Sequence, residues 1–215
     1  MGTLLTFEPP VPHLRAALRE RLGVEVGEDA ARRAIRAEIA YYRAHLHEGS
    51  DPVGLAALRR ASAEAMRPEL GVDGDGEALT AALLDSLRFH AFPEVPGALR
   101  QLRARGLALV VVSNWDVSLH ERLAETGLAP LVDGAVASAE IGVAKPDPAI
   151  FARALELAGA QPSEAWHVGD SPVEDMEGAR AAGLRAVLVA RDGDAPPGVA
   201  AVRSLDELPL VLDAS

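Results

Sequence analysis

Two carboxylates, Asp170 and Asp175, stand five residues apart in the stretch Trp166-His167-Val168-Gly169-Asp170-Ser171-Pro172-Val173-Glu174-Asp175. Their type and spacing suit a hard divalent cation such as Mg²⁺, which takes one or two carboxylates and keeps several waters. The same residues also fit a plainer role, capping and charging the first turn of a helix. Two other stretches bring polar groups next to apolar runs: Ser113-Asn114-Trp115-Asp116 and Gly142-Val143-Ala144-Lys145-Pro146-Asp147-Pro148. Ser113 offers a hydroxyl, and neighbouring backbone N–H groups can bind an anionic oxygen. Asp116 reads as a helix N-cap, and Asp147 with Pro148 as the N-cap and first residue of another helix. Composition singles out two of these residues. Of 21 basic residues only Lys145 is a lysine, and Asn114 is the single asparagine. A chain that otherwise uses arginine, yet keeps one lysine in a loop, points to a compact ammonium where a planar guanidinium would not serve. Chance survival is the alternative. If the three stretches converge, hydroxyl, ammonium and carboxylates make a phosphate site, because phosphoryl transfer needs positioning and charge neutralisation.

Convergence depends on the elements between them. Residues 165–168 read as a short apolar strand stopped by Gly169, and residues 172–182 as a helix with proline near its start and Gly183 at its end. Residues 107–112, Leu-Ala-Leu-Val-Val-Val, form the continuous apolar run of a parallel strand buried on both faces. A weaker strand is predicted over 134–137, another over 185–189, and a short edge strand over 199–202. Helices are predicted over 98–105, 117–126, 148–158 and 205–212. This alternation predicts an α/β fold, a Rossmann-like parallel sheet with helices on both faces. The three polar loops then open at the carboxyl edge of the sheet, where such folds bind ligands.

Residues 11–90 have a different texture. Apolar residues recur at helical spacing in Leu14, Leu18 and Leu22, in Ile35, Ile39, Tyr42 and Leu46, in Leu55, Leu58 and Met66, and in Leu79, Leu83 and Leu87. Breaks at Gly23, at residues 49–52 and at 71–76 divide them into four helices with no strand. The predicted organisation is a short initial segment at 1–10, an inserted all-helical cap at 11–91, and the core at 92–215. Tyr41, Tyr42, Arg43, His45 and His47 cluster on one helix and read as part core, part solvated surface. His167, inside a strand, reads as a core histidine.

The 215 residues suffice for one α/β core with a smaller insertion. No apolar run approaches the ~20 residues that span a bilayer, and no basic region with a cleavage site opens the chain, so a soluble cytoplasmic protein with no membrane partner is expected. The absence of cysteine excludes disulfides, thiolate metal sites and cysteine nucleophiles. A net charge of −11 excludes a general nucleic-acid binder.

Ser113-Asn114, Lys145-Pro146 and Gly169-Asp170-Ser171 through Asp175, with Gly178-Ala179 and Ala182-Gly183 behind, resemble in order and spacing the second, third and fourth motifs of the haloacid dehalogenase-like hydrolases. The resemblance covers about residues 93 to 190, and the helical stretch falls where many members insert a cap. It implies a Mg²⁺-dependent phosphatase acting on a small phosphomonoester through an aspartyl-phosphate intermediate. Ser113 would bind the transferring phosphate together with Asn114 and Lys145, Lys145 would also stabilise the nucleophile, and Asp170 and Asp175 would hold the metal directly or through water.

One motif departs from the family. The first is Asp-x-Asp-x-Thr or Asp-x-x-Gly-Thr-Leu, whose first Asp is the nucleophile, whereas this chain reads Met1-Gly2-Thr3-Leu4. The expectation is that the start falls at an internal Met of an Asp-x-Met-Gly-Thr-Leu sequence, in a product longer by one strand of roughly five to ten residues. Met in place of the second Asp also removes the general acid that many phosphatases of this family use. That leaves two alternatives to the phosphatase: a 2-haloacid dehalogenase, which needs neither metal nor that acid, and an inactive member that binds a ligand or partner. Substrate and oligomeric state are not legible in these residues.

Overall fold

The computed structural model describes residues 2–193 and 195–213; the expectation that Met1 is an internal residue of the first motif lies outside the described residues. The chain divides into two compact units, one of residues up to Thr6 and from Ala91 onward, the other Phe7–His90.

The second unit is helical: α1 (Pro10–Leu22), α2 (Glu28–His45), α3 (Pro52–Leu70) and α4 (Gly76–Ser86). Local sequence sets the ends. The Asp51 carboxylate accepts from the N–H groups of Val53 and Gly54 at the start of α3, and Gly23 and Gly71 take the left-handed conformation that closes α1 and α3. Leu14, Leu18, Ile35, Met66, Leu79 and Leu83, spaced for one helix face each, form its core. The expectation of a strand-free 11–90 is corrected at its end. Phe89–Ala91 is a strand, β2, paired with β1 (Leu5–Phe7). Three residues are too few to show an alternation, and the pairing partner lies more than 80 residues away.

The first unit holds the parallel strands. In chain order it contains α5 (Val95–Ala104), β3 (Val110–Ser113), α6 (Leu119–Glu125), β4 (Gly134–Ala137), α7 (Ser138–Ile141), α8 (Pro148–Ala158), β5 (Trp166–Gly169), α9 (Gly178–Ala181), β6 (Arg185–Val189), β7 (Ala201–Val202) and α10 (Leu208–Asp213). β3 pairs with β4 in parallel, and β5, β6 and β7 form a second parallel ladder. Successive residues of β6 divide between two apolar clusters: Val187 and Val189 join Leu99 of α5 and Leu123 of α6, while Ala186 and Leu188 join Phe151 of α8 and Ala179 of α9. The sheet is therefore covered by helices on both faces, as the alternation predicts.

Several element boundaries differ from those expected. Strand pairing begins at Val110 rather than 107, because the Asp133 side chain takes the N–H of Leu109 and the Asp133 N–H takes its carbonyl before β4 begins. The helix expected from 172 opens instead as one π-helical turn, Pro172–Glu177, followed by α9.

Candidate active site

Three loops meet at the carboxyl ends of β3, β4 and β5. The lone asparagine and the lone lysine are bound to each other: Asn114 Oδ1 accepts from the Lys145 backbone N–H at 2.7 Å, and Asn114 Nδ2 donates to the Lys145 carbonyl at 3.0 Å. This two-point clamp ties the loop after β3 to the segment that presents the ammonium. Further back, the Ser138 hydroxyl accepts from the Trp115 N–H at 3.1 Å, fixing the same loop to the start of α7. Asp147 accepts from the Ala149 N–H, so the predicted cap of α8 forms and holds Lys145 just ahead of the helix. Asp116 takes the Ser118 N–H at 2.7 Å, which turns the chain toward α6 two residues later than expected.

The Lys145 ammonium lies 2.5 Å from Asp175 Oδ1, and His167 Nε2 lies 2.8 Å from the same oxygen. Asp175 Oδ2 accepts from the Ser171 N–H at 2.9 Å. All three side chains are largely buried. Burial, the strongest single influence on Asp175, pushes its carboxyl up, but the His167 hydrogen bond and the charge of Lys145 together outweigh it and hold the group well below the usual carboxylate range. Asp175 therefore stays ionised. His167 is more than a core histidine, and its signal in the sequence was only its place on the strand leading to Asp170.

Ser171, not Asp170, caps the turn that follows β5, accepting from the Glu174 N–H at 3.1 Å. The plainer reading of the two carboxylates as capping and charging a first turn is thereby displaced for Asp170, while Asp175 does lie in that turn and bonds the N–H of its capping residue. Asp170 instead accepts from the Thr3 hydroxyl at 2.6 Å. Gly2 presses so closely on it that a Cβ would meet Asp170 Oδ2 at 2.5 Å. Arg191 holds this segment, donating to the carbonyls of Gly2 at 2.7 Å and Thr3 at 2.8 Å while paired with Glu94 at 2.6 Å. The sequence reading missed Arg191, one of twenty interchangeable-looking arginines. Ser113, Lys145, Asp170 and Asp175 border one cavity of about 210 Å³.

Two motif glycines are required by contact. A Cβ on Gly169 would meet the Asp175 carboxylate at 2.1 Å, and one on Gly178 would meet the Pro146 Cα at 2.9 Å. The absent side chains let the acidic turn fold back over β5 and let the turn into α9 press against the lysine loop.

For a cation, Asp170 offers a carboxylate at the cavity, whereas both oxygens of Asp175 already have donors. No cluster of three or more histidine or acidic side chains able to cage a metal forms among the described residues. One direct carboxylate, with a second acting through water, is within the habit of Mg²⁺.

These features define an α/β protein with a lysine–carboxylate cluster at the carboxyl edge of its parallel strands. Residues 1–183 match the haloacid dehalogenase-like hydrolase family, and the chain belongs to it. It is similar to the phosphoserine phosphatase of Thermus thermophilus, 33% identical over 213 residues that cover 86% of this chain and 85% of that protein. Over 101 residues it is 45% identical to the haloacid dehalogenase-like hydrolase domain-containing protein 3 of Bos taurus, covering 47% of this chain and 40% of that one. Among solved structures, a 2-haloacid dehalogenase from Pseudomonas syringae pv. Tomato DC3000 superimposes with a TM-score of 0.68 at 28% identity, covering 99% of this chain and 94% of that one. A HAD phosphatase from Thermococcus onnurineus gives 0.67 at 27%, with the same coverage. No helix among the described residues is long and apolar enough to cross a membrane.

Proposed function

We propose that this hydrolase is a phosphatase acting on a small phosphomonoester, with Mg²⁺ held by Asp170 directly and by Asp175 through water. The observation that carries this reading is the lone lysine, clamped by the lone asparagine at the carboxyl edge and aimed by Asp175 beside Ser113 and Asp170. The similarity to phosphatases over most of the chain supports it. Bound Mg²⁺ would supply charge neutralisation for the transferring phosphoryl group. In this reading Lys145 offsets further negative charge on the same group, and Ser113 donates a hydrogen bond to one of its oxygens. The attacking group in this reading is the aspartate that the family resemblance implies, which the test below supplies on an apolar strand placed before Gly2.

Mg²⁺-dependent hydrolysis of a generic aryl phosphate, measured on the 215-residue chain and on a form with such a strand placed before Gly2, is the test. Activity confined to the longer form is the expected result. Equal rates in both would remove the aspartate from the mechanism. A second reading, a 2-haloacid dehalogenase, is favoured by the match to the Pseudomonas enzyme over nearly the whole chain. It predicts metal-independent release of halide from a 2-haloacid, and no phosphate release.

A further inference from the structure

Arg191 stands just past the carboxyl end of β6 and meets two other stretches of the chain. Its Nε donates to the Gly2 carbonyl at 2.7 Å and its Nη2 to the Thr3 carbonyl at 2.8 Å. The guanidinium lies over the Phe92 ring, 3.5 Å from its centre. Glu94 Oε1 approaches Nη2 at 2.6 Å yet makes no hydrogen bond, so this buried carboxylate holds the group by charge and leaves its N–H groups aimed at the two carbonyls. The arrangement needs a planar fork. One face stacks on a ring while the edge serves two successive carbonyls, and a lysine ammonium cannot do both at once. The segment that Arg191 holds carries the Thr3 hydroxyl, which donates to Asp170 Oδ1 at 2.6 Å. Asp170 Oδ2, which faces Gly2, has no hydrogen-bond donor among the described residues.

We propose that Arg191 is a positioning residue for the cation site: by fixing Thr3 it orients Asp170, so that Oδ1 is tied to the protein and Oδ2 is left for Mg²⁺. This rests on the reading of Asp170 as the carboxylate that holds the metal directly. Phe92 and Glu94 set the guanidinium, the guanidinium sets the backbone of Gly2 and Thr3, and Thr3 sets the carboxylate. All six residues belong to the same compact unit. Losing a group that orients a metal ligand lowers metal affinity by about 10- to 100-fold. Because Arg191 acts through Thr3, the losses of the two are coupled and do not add.

The test is a Mg²⁺ titration of the 215-residue chain, followed by the backbone amide NMR shifts of residues 169–175, which gives a Kd without turnover. Thr3→Val and Arg191→Lys are each expected to raise Kd by about tenfold or more, and the double variant to bind no more weakly than the weaker single one. Thr3→Ser, which restores the hydroxyl, should recover most of the loss. Glu94→Gln keeps the shape of the pair and should move Kd in the same direction, which preserves the test if the Arg191 variant does not fold. A folded Arg191→Lys chain that melts earlier but binds Mg²⁺ with unchanged Kd would overturn the positioning role, as would losses that multiply in the double variant. Asp170→Asn separates the two ideas: binding as tight as in the parent chain would sink the metal reading itself, and the proposal with it.

Discussion

At the scale of single residues, Asn114 commits its side chain to the lysine loop. Its side chain makes two hydrogen bonds to the backbone of one residue, Lys145, one to its N–H and one to its C=O. Losing both leaves a half-buried N–H and C=O without those partners and frees Lys145 to sample other positions. Asn114→Ala is expected to lower kcat/KM by roughly 10- to 100-fold, in line with about 1–3 kcal/mol per orphaned group, with the fold retained by circular dichroism. Lys145→Arg keeps the charge but not the compact ammonium that fits between Asp175 and the cavity, and a fall of about 10²-fold is expected. Unchanged Michaelis parameters in either variant would remove that residue from the machinery. Glu38, in the helical unit, makes a separate prediction. It is almost fully buried on α2, and burial pushes its carboxyl up to about 7. The fold thus favours the protonated form. Its contribution is intact below the ordinary carboxyl range, declines as pH rises through it, and is lost once pH passes about 7. The penalty above that point is on the order of 3 kcal/mol. Glu38→Gln, which cannot ionise, should therefore raise Tm by several degrees at pH 8.5 and hardly at all at pH 4. Thermal melts at the two pH values decide this, and equal shifts would mean that Glu38 does not ionise in the fold.

Elements position these residues by how closely they approach each other. The turn into α9 packs on the lysine loop and on Phe151 of α8 because Gly178 has no side chain. Gly178→Ala would force a Cβ against backbone at 2.9 Å and ring carbon at 2.8 Å, neither of which is the free end of a flexible chain. Destabilisation of about 1–3 kcal/mol is expected in urea unfolding, as for other overpacked sites, with activity falling further than stability because Pro146 carries the strain to Lys145. This packing also explains what was legible in advance. The long periodic helices and the runs 134–137 and 185–189 were readable because burial imposes a period on the sequence, and Asp147 and Lys145 were readable because a cap and a rare residue stand out locally. β2 and the late start of β3 were not readable, since pairing with distant β1 and the Asp133 side chain set them. Nor were the Asn114 clamp, the approach of His167 to Asp175 and the role of Arg191, each a contact between residues far apart in sequence. Spacing along the chain placed the site at one edge of the sheet, and only the fold could assign partners within it.

For the whole molecule, charge opposes the phosphatase chemistry proposed for the site. The chain carries −11 at neutral pH, spread over 32 acidic and 21 basic residues, while a phosphomonoester approaches as an anion. Lys145 is largely buried against Asp175, and its charge is largely offset by that carboxylate before a substrate arrives. At low ionic strength the long-range field is therefore repulsive to substrate, and it reaches about 30 Å at 0.01 M salt but only about 8 Å at 0.15 M. Screening should help encounter rather than hinder it, the reverse of enzymes that steer anions with a basic surface. In a form competent for phosphate hydrolysis, with Mg²⁺ held saturating, kcat/KM for an aryl phosphate is expected to rise by roughly two- to fivefold between 10 and 150 mM NaCl, with kcat nearly constant. A neutral ester of similar size should show no such rise. If kcat/KM falls instead, the potential at the site is positive in spite of the net charge, and cationic groups beyond Lys145 must be facing the substrate.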